Sequence, residues 1–180
     1  MNVVFLDRDG TMIVEPPDEQ IDSLEKLELI PGVIEGLRLL RDKGFELVLV
    51  TNQDGLGTDS FSQSSFDAPQ KKLLGILQGE GIAFSRIFIC PHTPADQCTC
   101  RKPKIGLITD YLEEKKPDLR RTFVIGDRET DVQLGKNIGC KTIRLGDSPQ
   151  SNADIVTNSF LDACRHVVST IRTAHIDRTT

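Results

Sequence analysis

Val3-Val4-Phe5-Leu6-Asp7-Arg8-Asp9-Gly10-Thr11 opens the chain and decides how the rest is read. An apolar, β-branched and aromatic run of this length reads as a strand buried on both faces of a parallel sheet. Two aspartates one residue apart then fall at its carboxyl end, where open α/β sheets place their ligand crevices. Carboxylates crowded there repel each other and lose water, which is costly unless a cation lies between them. The pattern predicts a magnesium site with a nucleophilic or binding carboxylate, although Asp9-Gly10 is also a common turn pair.

Outward from this stretch, Val33, Ile34, Leu37 and Leu40 form a helical stripe that Gly44 ends, and Phe45 to Val50 is a second buried strand. Strand, crossover helix and strand make a βαβ unit, so the sheet is expected to be parallel with a right-handed crossover. Further strands are expected over 86–89, 122–127 and 141–145, with helices near 71–79, 106–115, 130–138 and 160–171. The polar stretch from Asp54 to Pro69 reads as a long loop, a flap beside the substrate and too short for a separate cap domain. The expected class is α/β: a Rossmann-like parallel sheet flanked by helices, with no large cap domain.

At 180 residues the chain is one ordinary domain. A formal net charge of -5 leaves no basic stripe to neutralise phosphates, which argues against a nucleic-acid binder. No apolar run approaches the roughly 20 residues needed to span a bilayer. Met1-Asn2-Val3 lacks the charged and long apolar regions of a secretory signal, so a cytoplasmic location is expected.

The five cysteines are unevenly placed: Cys90, Cys98 and Cys100 cluster around His92, whereas Cys140 and Cys164 stand alone and read as small core residues. Three thiolates and an imidazole on one short loop suit tetrahedral zinc, and four protein ligands leave no open position for catalysis. The expected zinc is therefore structural and shapes the loop carrying Arg101 and Lys102; reduced free cysteines or a redox pair are the alternative. A second acidic site, Gly126-Asp127-Arg128-Glu129-Thr130-Asp131, again ends a buried strand, and in a parallel sheet Asp127 converges on the edge that holds Asp7. Magnesium takes oxygen ligands with one or two protein carboxylates. Asp7 and Asp127 supply them, with Asp131 orienting from close by. Thr51 and Asn52, at the end of the second strand, either donate to a phosphate or substrate oxygen or form an ordinary Asx-type turn.

Asp7-x-Asp9-Gly10-Thr11, Thr51, Lys102 and Gly126-Asp127 with Asp131 resemble, in order and over nearly the whole chain, the four motifs of the haloacid dehalogenase superfamily of phosphotransferases. The Cys90-x-His92…Cys98-x-Cys100-Arg101-Lys102-Pro103 segment is similar to its zinc-containing small phosphatases. Within these, Glu15-Pro16-Pro17, the stretch from Thr51 to Thr58 and that from Cys90 to Asp96 resemble the histidinol-phosphate phosphatase domain, with the heptose bisphosphate phosphatases as the alternative.

The resemblance implies that Asp7 is a nucleophile forming an aspartyl-phosphate and that Asp9 is first general acid, then general base. It implies magnesium held by Asp7, the Asp9 backbone carbonyl and Asp127, and Thr51 and Lys102 on the phosphoryl oxygens. Asn52, Gln53, Asp54 and Arg101 are the expected contacts to a small phosphate monoester, L-histidinol phosphate, with Asp54 meeting its ammonium. Residues 1–165 are then the phosphatase domain and 166–180 a tail or linker. In that tail Arg172-x-Ala174-x-Ile176-x-Arg178-x-Thr180 resembles the opening of an imidazoleglycerol-phosphate dehydratase domain, so a fused dehydratase is expected beyond it. Two rivals of another class are a phospho-receiver domain, which also uses a strand-end aspartate with magnesium, and a zinc-binding module without catalysis.

Overall fold

β1 (Asn2–Leu6) lies in the middle of a six-stranded, all-parallel sheet whose order is β3-β2-β1-β4-β5-β6. The other strands are β2 (Phe45–Asn52), β3 (Arg86–Cys90), β4 (Thr122–Gly126), β5 (Lys141–Leu145) and β6 (Ile155–Thr157). The structure is a computed structural model and describes residues 1–176.

Helices α1 (Val33–Asp42), α2 (Gln63–Gly79) and α5 (Phe160–Ile176) cover one face of the sheet; α3 (Thr109–Lys115) and α4 (Glu129–Ile138) cover the other. Successive strand residues point to opposite faces. Accordingly Val4 and Leu6 pack with Leu37, Leu73 and Phe160, while Val3 and Phe5 pack with Tyr111 and Leu134. Val3, Val4, Phe5 and Leu6 are each 0% exposed, which is why β1 shows an unbroken apolar run rather than alternation. Among the described residues no helix is long and apolar enough to cross a membrane.

The chain winds outward from β1 through β2 to β3, then returns across β1 to start β4 on its other side. The winding therefore reverses between β1 and β4, and a crevice opens there at the carboxyl ends of the strands. Asp7 follows β1 and Asp127 follows β4, so both acids stand at the reversal point. A receiver-like sheet has the order 2-1-3-4-5 instead, which removes the phospho-receiver reading.

Three features differ from expectation. The stretch 54–69 is not one long flap, because α2 begins at Gln63. Ser62 caps it by accepting from the Ser65 backbone N–H at 3.2 Å. Pro69, which removes one helical donor, sits inside α2 on the same buried stripe as Phe66, Leu73 and Leu77; that packing outweighs one missing bond. A short edge strand, β6, has too few residues to show a period. Finally, the expected boundary after residue 165 falls inside α5, whose Val167 and Val168 belong to the core. The last positions of the dehydratase-like stretch, 177–180, lie outside the described residues.

Gly135 lets α4 lie close on the sheet: a Cβ there would come 2.3 Å from the Thr142 methyl group. Gly135→Ala gains about 1 kcal/mol of helix propensity, but overpacking costs about 1–3 kcal/mol and more for a contact this close. We expect a net loss near 2 kcal/mol, a fall in Tm of roughly 4–8 °C by scanning calorimetry. An unchanged or higher Tm would show that α4 can move away freely.

Candidate active site

Lys102 is the hub of the site. Its ammonium, 4% exposed, donates to Asp7 Oδ1 at 2.6 Å, Asp131 Oδ1 at 2.7 Å and the Val50 carbonyl at 2.9 Å. Burial works against its charge, yet Asp131 and Asp7 hold its pKa above the ordinary lysine value. An ammonium has three donors, and all three are engaged. Lys102 thus fixes the nucleophile candidate and Asp131, rather than presenting a free donor to the phosphoryl oxygens as expected. Asp7 Oδ2 has no hydrogen bond among the described residues.

Asp7, Asp127 and Asp131 bring one oxygen each within 4.8 Å of one another. Asp131 is occupied on both sides, by Lys102 on Oδ1 and by the Arg128 backbone N–H on Oδ2 at 3.1 Å. It is therefore an orienting group, whereas Asp127 accepts the Thr11 hydroxyl at 3.2 Å on Oδ1, has Arg128 Nε 4.0 Å from Oδ2, and is the less engaged of the two toward a cation. Gly10 is tight against this acid: a Cβ would lie 2.3 Å from Asp127 Oδ2. An all-oxygen donor set with at least two carboxylates fits a hard divalent ion.

Burial first, then Asp7 and Asp131, pushes Asp127 up to about 7; burial likewise raises Asp131 to about 6 in spite of Lys102. Such a group stabilises the fold fully only below its unfolded pKa near ~3.9, and that stability is lost as pH rises through the folded value. A divalent cation among the acids reverses the loss. Added Mg2+ is therefore expected to raise the Tm of the metal-free chain by several degrees at about pH 8 and by clearly less at about pH 5.5. Equal increments at both pH values would place the ion elsewhere.

Asp9 is buried as well. Its carboxyl is raised by burial, opposed by the neighbouring Arg8 guanidinium. Gln53 Nε2 donates to Asp9 Oδ2 at 2.6 Å and to Thr51 Oγ1 at 2.8 Å. Gln53 is 3% exposed, so its amide serves these two residues more than a substrate. Thr51 Oγ1 accepts from Gln53, which leaves its hydroxyl proton for an incoming oxygen. Arg8, flanked by the two acids, is buried beside Asp9; the sequence reading had no role for it. No local signal marked it, since a residue between two strand-end acids can equally point away from them.

Cys90, His92, Cys98 and Cys100 gather at the end of β3. Cys90 Sγ lies 3.8 Å from Cys98 Sγ, 3.2 Å from Cys100 Sγ and 3.6 Å from His92 Nδ1; His92 Nδ1 is 3.1 Å from Cys100 Sγ. Tetrahedral zinc with bonds of ~2.3 Å to sulfur needs ligand separations of roughly 3.5–3.8 Å, and the cluster is close to that spacing. The Arg101 backbone N–H also reaches Cys98 Sγ at 3.3 Å.

This loop is tied to the end of β2. Asn52 Oδ1 accepts from the Lys102 backbone N–H at 3.0 Å, and Asn52 Nδ2 donates to the Lys102 carbonyl at 3.3 Å. Asn52 thus positions Lys102. Asp54 and Arg101, both expected to meet substrate, are paired with each other at 2.8 Å. Across the cavity mouth Arg128 donates to Glu15 at 2.7 and 2.8 Å, a clamp that the sequence reading did not include. The cavity holds about 200 Å³, opens to solvent and is lined by Asp7, Asp9, Thr51, Asn52, Gln53, Asp54, Arg101 and Lys102, so every residue expected to be catalytic or to contact substrate meets there.

A family model described as HAD-hydrolase-like matches residues 99–174. The histidine biosynthesis bifunctional protein HisB of Baumannia cicadellinicola subsp. Homalodisca coagulata is 44% identical over 179 residues, covering 99% of this chain and 48% of that protein. HisB of Actinobacillus pleuropneumoniae serotype 3 is 47% identical over 179 residues, covering 98% of this chain and 49% of that protein. The chain spans about half the length of the curated relatives it matches. Among solved structures, the D,D-heptose 1,7-bisphosphate phosphatase of B. bronchiseptica, complexed with magnesium and phosphate, has a TM-score of 0.81 at 26% identity over 94% of this chain and 99% of that one. The enzyme of the same name from Burkholderia thailandensis shares the fold, with a TM-score of 0.64 at 21% identity over 94% of this chain and 99% of that one. With strand-end acids at the reversal point and a lysine bridging Asp7 to Asp131, the chain matches the haloacid dehalogenase-like hydrolase family over residues 99–174 and is similar to its phosphatases over nearly its full length.

Proposed function

We propose that the chain is a magnesium-dependent phosphomonoesterase acting on L-histidinol phosphate through an aspartyl-phosphate on Asp7. The observation that carries it is the buried Asp7–Lys102–Asp131 bridge at the floor of a cavity whose mouth is lined with carboxylates.

Asp7 Oδ2 attacks phosphorus, the ester P–O bond breaks, and Asp9 passes its proton to the departing alkoxide. A water then attacks the same phosphorus and gives its proton to Asp9. The P–O bond to Asp7 breaks, inorganic phosphate leaves, and both acids return to their starting states. Lys102 balances the charge of Asp7 and Asp131 throughout, and the Thr51 hydroxyl donates to a phosphoryl oxygen. Asp7, the Asp9 carbonyl and Asp127 would hold magnesium, which when bound draws negative charge from the transferring group. Cys90, His92, Cys98 and Cys100 would hold a structural zinc that keeps Lys102 in place. Zinc thiolates of this kind accord with a reducing compartment, the cytoplasm.

The substrate is read from charge. Asp7, Asp9, Glu15, Asp18, Glu19 and Asp54 line the cavity against Arg101, Lys102 and Arg128, so acids outnumber bases by two to one. Both guanidiniums are neutralised at the rim, Arg101 by Asp54 and Arg128 by Glu15. A leaving alcohol with an ammonium and an imidazole is favoured there, while a second phosphate meets like charge. The relatives' name, with its reference to histidine biosynthesis, supports the same substrate, and the half-length match supports a fused second domain, the dehydratase expected from the tail. The heptose bisphosphate reading has the B. bronchiseptica enzyme in its favour. Side-by-side turnover decides: kcat/KM for histidinol phosphate is expected to exceed that for heptose 1,7-bisphosphate by about 100-fold or more, roughly 2.7 kcal/mol. A preference for the heptose would overturn the assignment.

A further inference from the structure

Arg8 is the largest completely buried side chain among the described residues, and its Nε and Nη2 have no hydrogen-bond partner there. Burying a guanidinium with unpaired nitrogens destabilises a fold. Violations of this kind concentrate at functional sites. The surroundings of Arg8 say what it does. Nη1 lies 3.0 Å from Asp9 Oδ1, donates to Asp9 Oδ2 at 3.3 Å and donates to Gln53 Oε1 at 3.3 Å. Gln53 completes the frame through its 2.6 Å bond to Asp9 Oδ2. The Phe66 ring of α2 closes it from behind, with its centroid 4.8 Å from Arg8 Cζ. Gln53 is itself anchored, since its backbone N–H donates to the Cys90 carbonyl at 2.8 Å. Asp9 Oδ2 thus accepts two hydrogen bonds, and Oδ1, itself buried, faces the Arg8 guanidinium at 3.0 Å.

We propose that Arg8 and Gln53, backed by Phe66, are positioning residues for Asp9, holding its carboxyl through Arg8 Nη1 facing both oxygens and Gln53 Nε2 on Oδ2. The proposal rests on the reading of Asp9 as acid and base given above. Both residues act through Asp9. Proton transfer needs the carboxyl within hydrogen-bond reach, and a shift of ~1 Å can cost about 100-fold.

The test compares two leaving groups. An alkoxide, as in histidinol phosphate, needs a proton; p-nitrophenolate leaves without one. Gln53→Met and Arg8→Lys are expected to lower kcat on histidinol phosphate by about 100-fold with little change in KM. With p-nitrophenyl phosphate the first turnover keeps its rate. Breakdown of the aspartyl-phosphate still needs Asp9 as base, so nitrophenolate appears as a burst followed by slow turnover. Gln53→Met leaves the Arg8–Phe66 packing in place, so the test survives if Arg8→Lys fails to fold. Equal loss on both substrates without a burst, or wild-type behaviour of the Gln53 variant, overturns the clamp. Asp9→Asn is the control. If Asp9→Asn shows the leaving-group selectivity and the Gln53 and Arg8 variants do not, only the clamp fails; if Asp9→Asn lacks it, the reading of Asp9 fails and the clamp with it.

Discussion

Asp7→Asn is expected to lower phosphatase turnover by on the order of 10⁴-fold or more, the scale of removing a nucleophile, while leaving the chain folded. An amide nitrogen or oxygen is a poor nucleophile toward phosphorus, so no acyl-phosphate forms. The fold survives because Lys102 is not abandoned. It keeps Asp131 at 2.7 Å and the Val50 carbonyl at 2.9 Å, and the Asn carbonyl can accept where Asp7 Oδ1 does now. One carboxylate fewer also relieves Asp127, whose raised pKa owes its second largest cause, after burial, to Asp7. In the metal-free chain at about pH 8, Tm should therefore be unchanged or a few degrees higher, opposite in sign to most buried substitutions. Turnover within about tenfold of wild type in a folded variant would exclude Asp7 as nucleophile. It would also revive the zinc-binding module without catalysis.

The second large effect concerns the metal loop. Cys100 is the cluster member nearest to both Cys90 and His92, at 3.2 and 3.1 Å. Cys100→Ser is expected to reduce zinc from about one ion per chain to a small fraction of that, because a four-ligand structural site has no spare donor. Without the ion, burial pushes the Cys90 thiol up to about 12, so it stays protonated and cannot help hold the loop. Lys102 sits two residues beyond Cys100, and displacement by ~1 Å costs about 100-fold in activity. The sheet has its own core on both faces, so the loss is local. Hydrogen exchange should rise over 90–104 and stay low in β1 and β4. Excess magnesium will not restore the activity. Retention of both zinc and activity in Cys100→Ser would show that the cluster is not the metal site.

The chemistry was legible where it depends on spacing along the chain. The acids after β1 and β4 and the two Cys-x-His/Cys pairs announce themselves because strand ends and short loops bring near neighbours together. Partners far apart in sequence were not legible. Lys102 and Asp7 are 95 residues apart, and the lysine's full engagement with two acids and a carbonyl follows from packing alone. Gln53 read as a substrate contact because its position at a strand end is the same whether its amide points to solvent or to Asp9. Asn52, which lines the cavity, also ties down the Lys102 backbone, a tie that the sequence could not show for the same reason. α2 was shortened because Pro69 and the serines before it suggest a loop, and only the buried stripe from Phe66 to Leu77 reveals that a helix wins.

What the sequence by itself determined is the kind of element and the kind of chemistry. An unbroken apolar run must be covered on both faces, two acids at its end need a cation, and three thiols with an imidazole need a soft metal. These follow from local properties: backbone periodicity, desolvation and ligand preference. The order of the strands, which sets Asp127 beside Asp7, was decided only in the tertiary structure, where helices must cover both faces of the sheet. So was the distribution of counter-charges. A buried carboxylate takes whichever cation the packing brings within reach: Lys102 for Asp7, and Arg8 for Asp9.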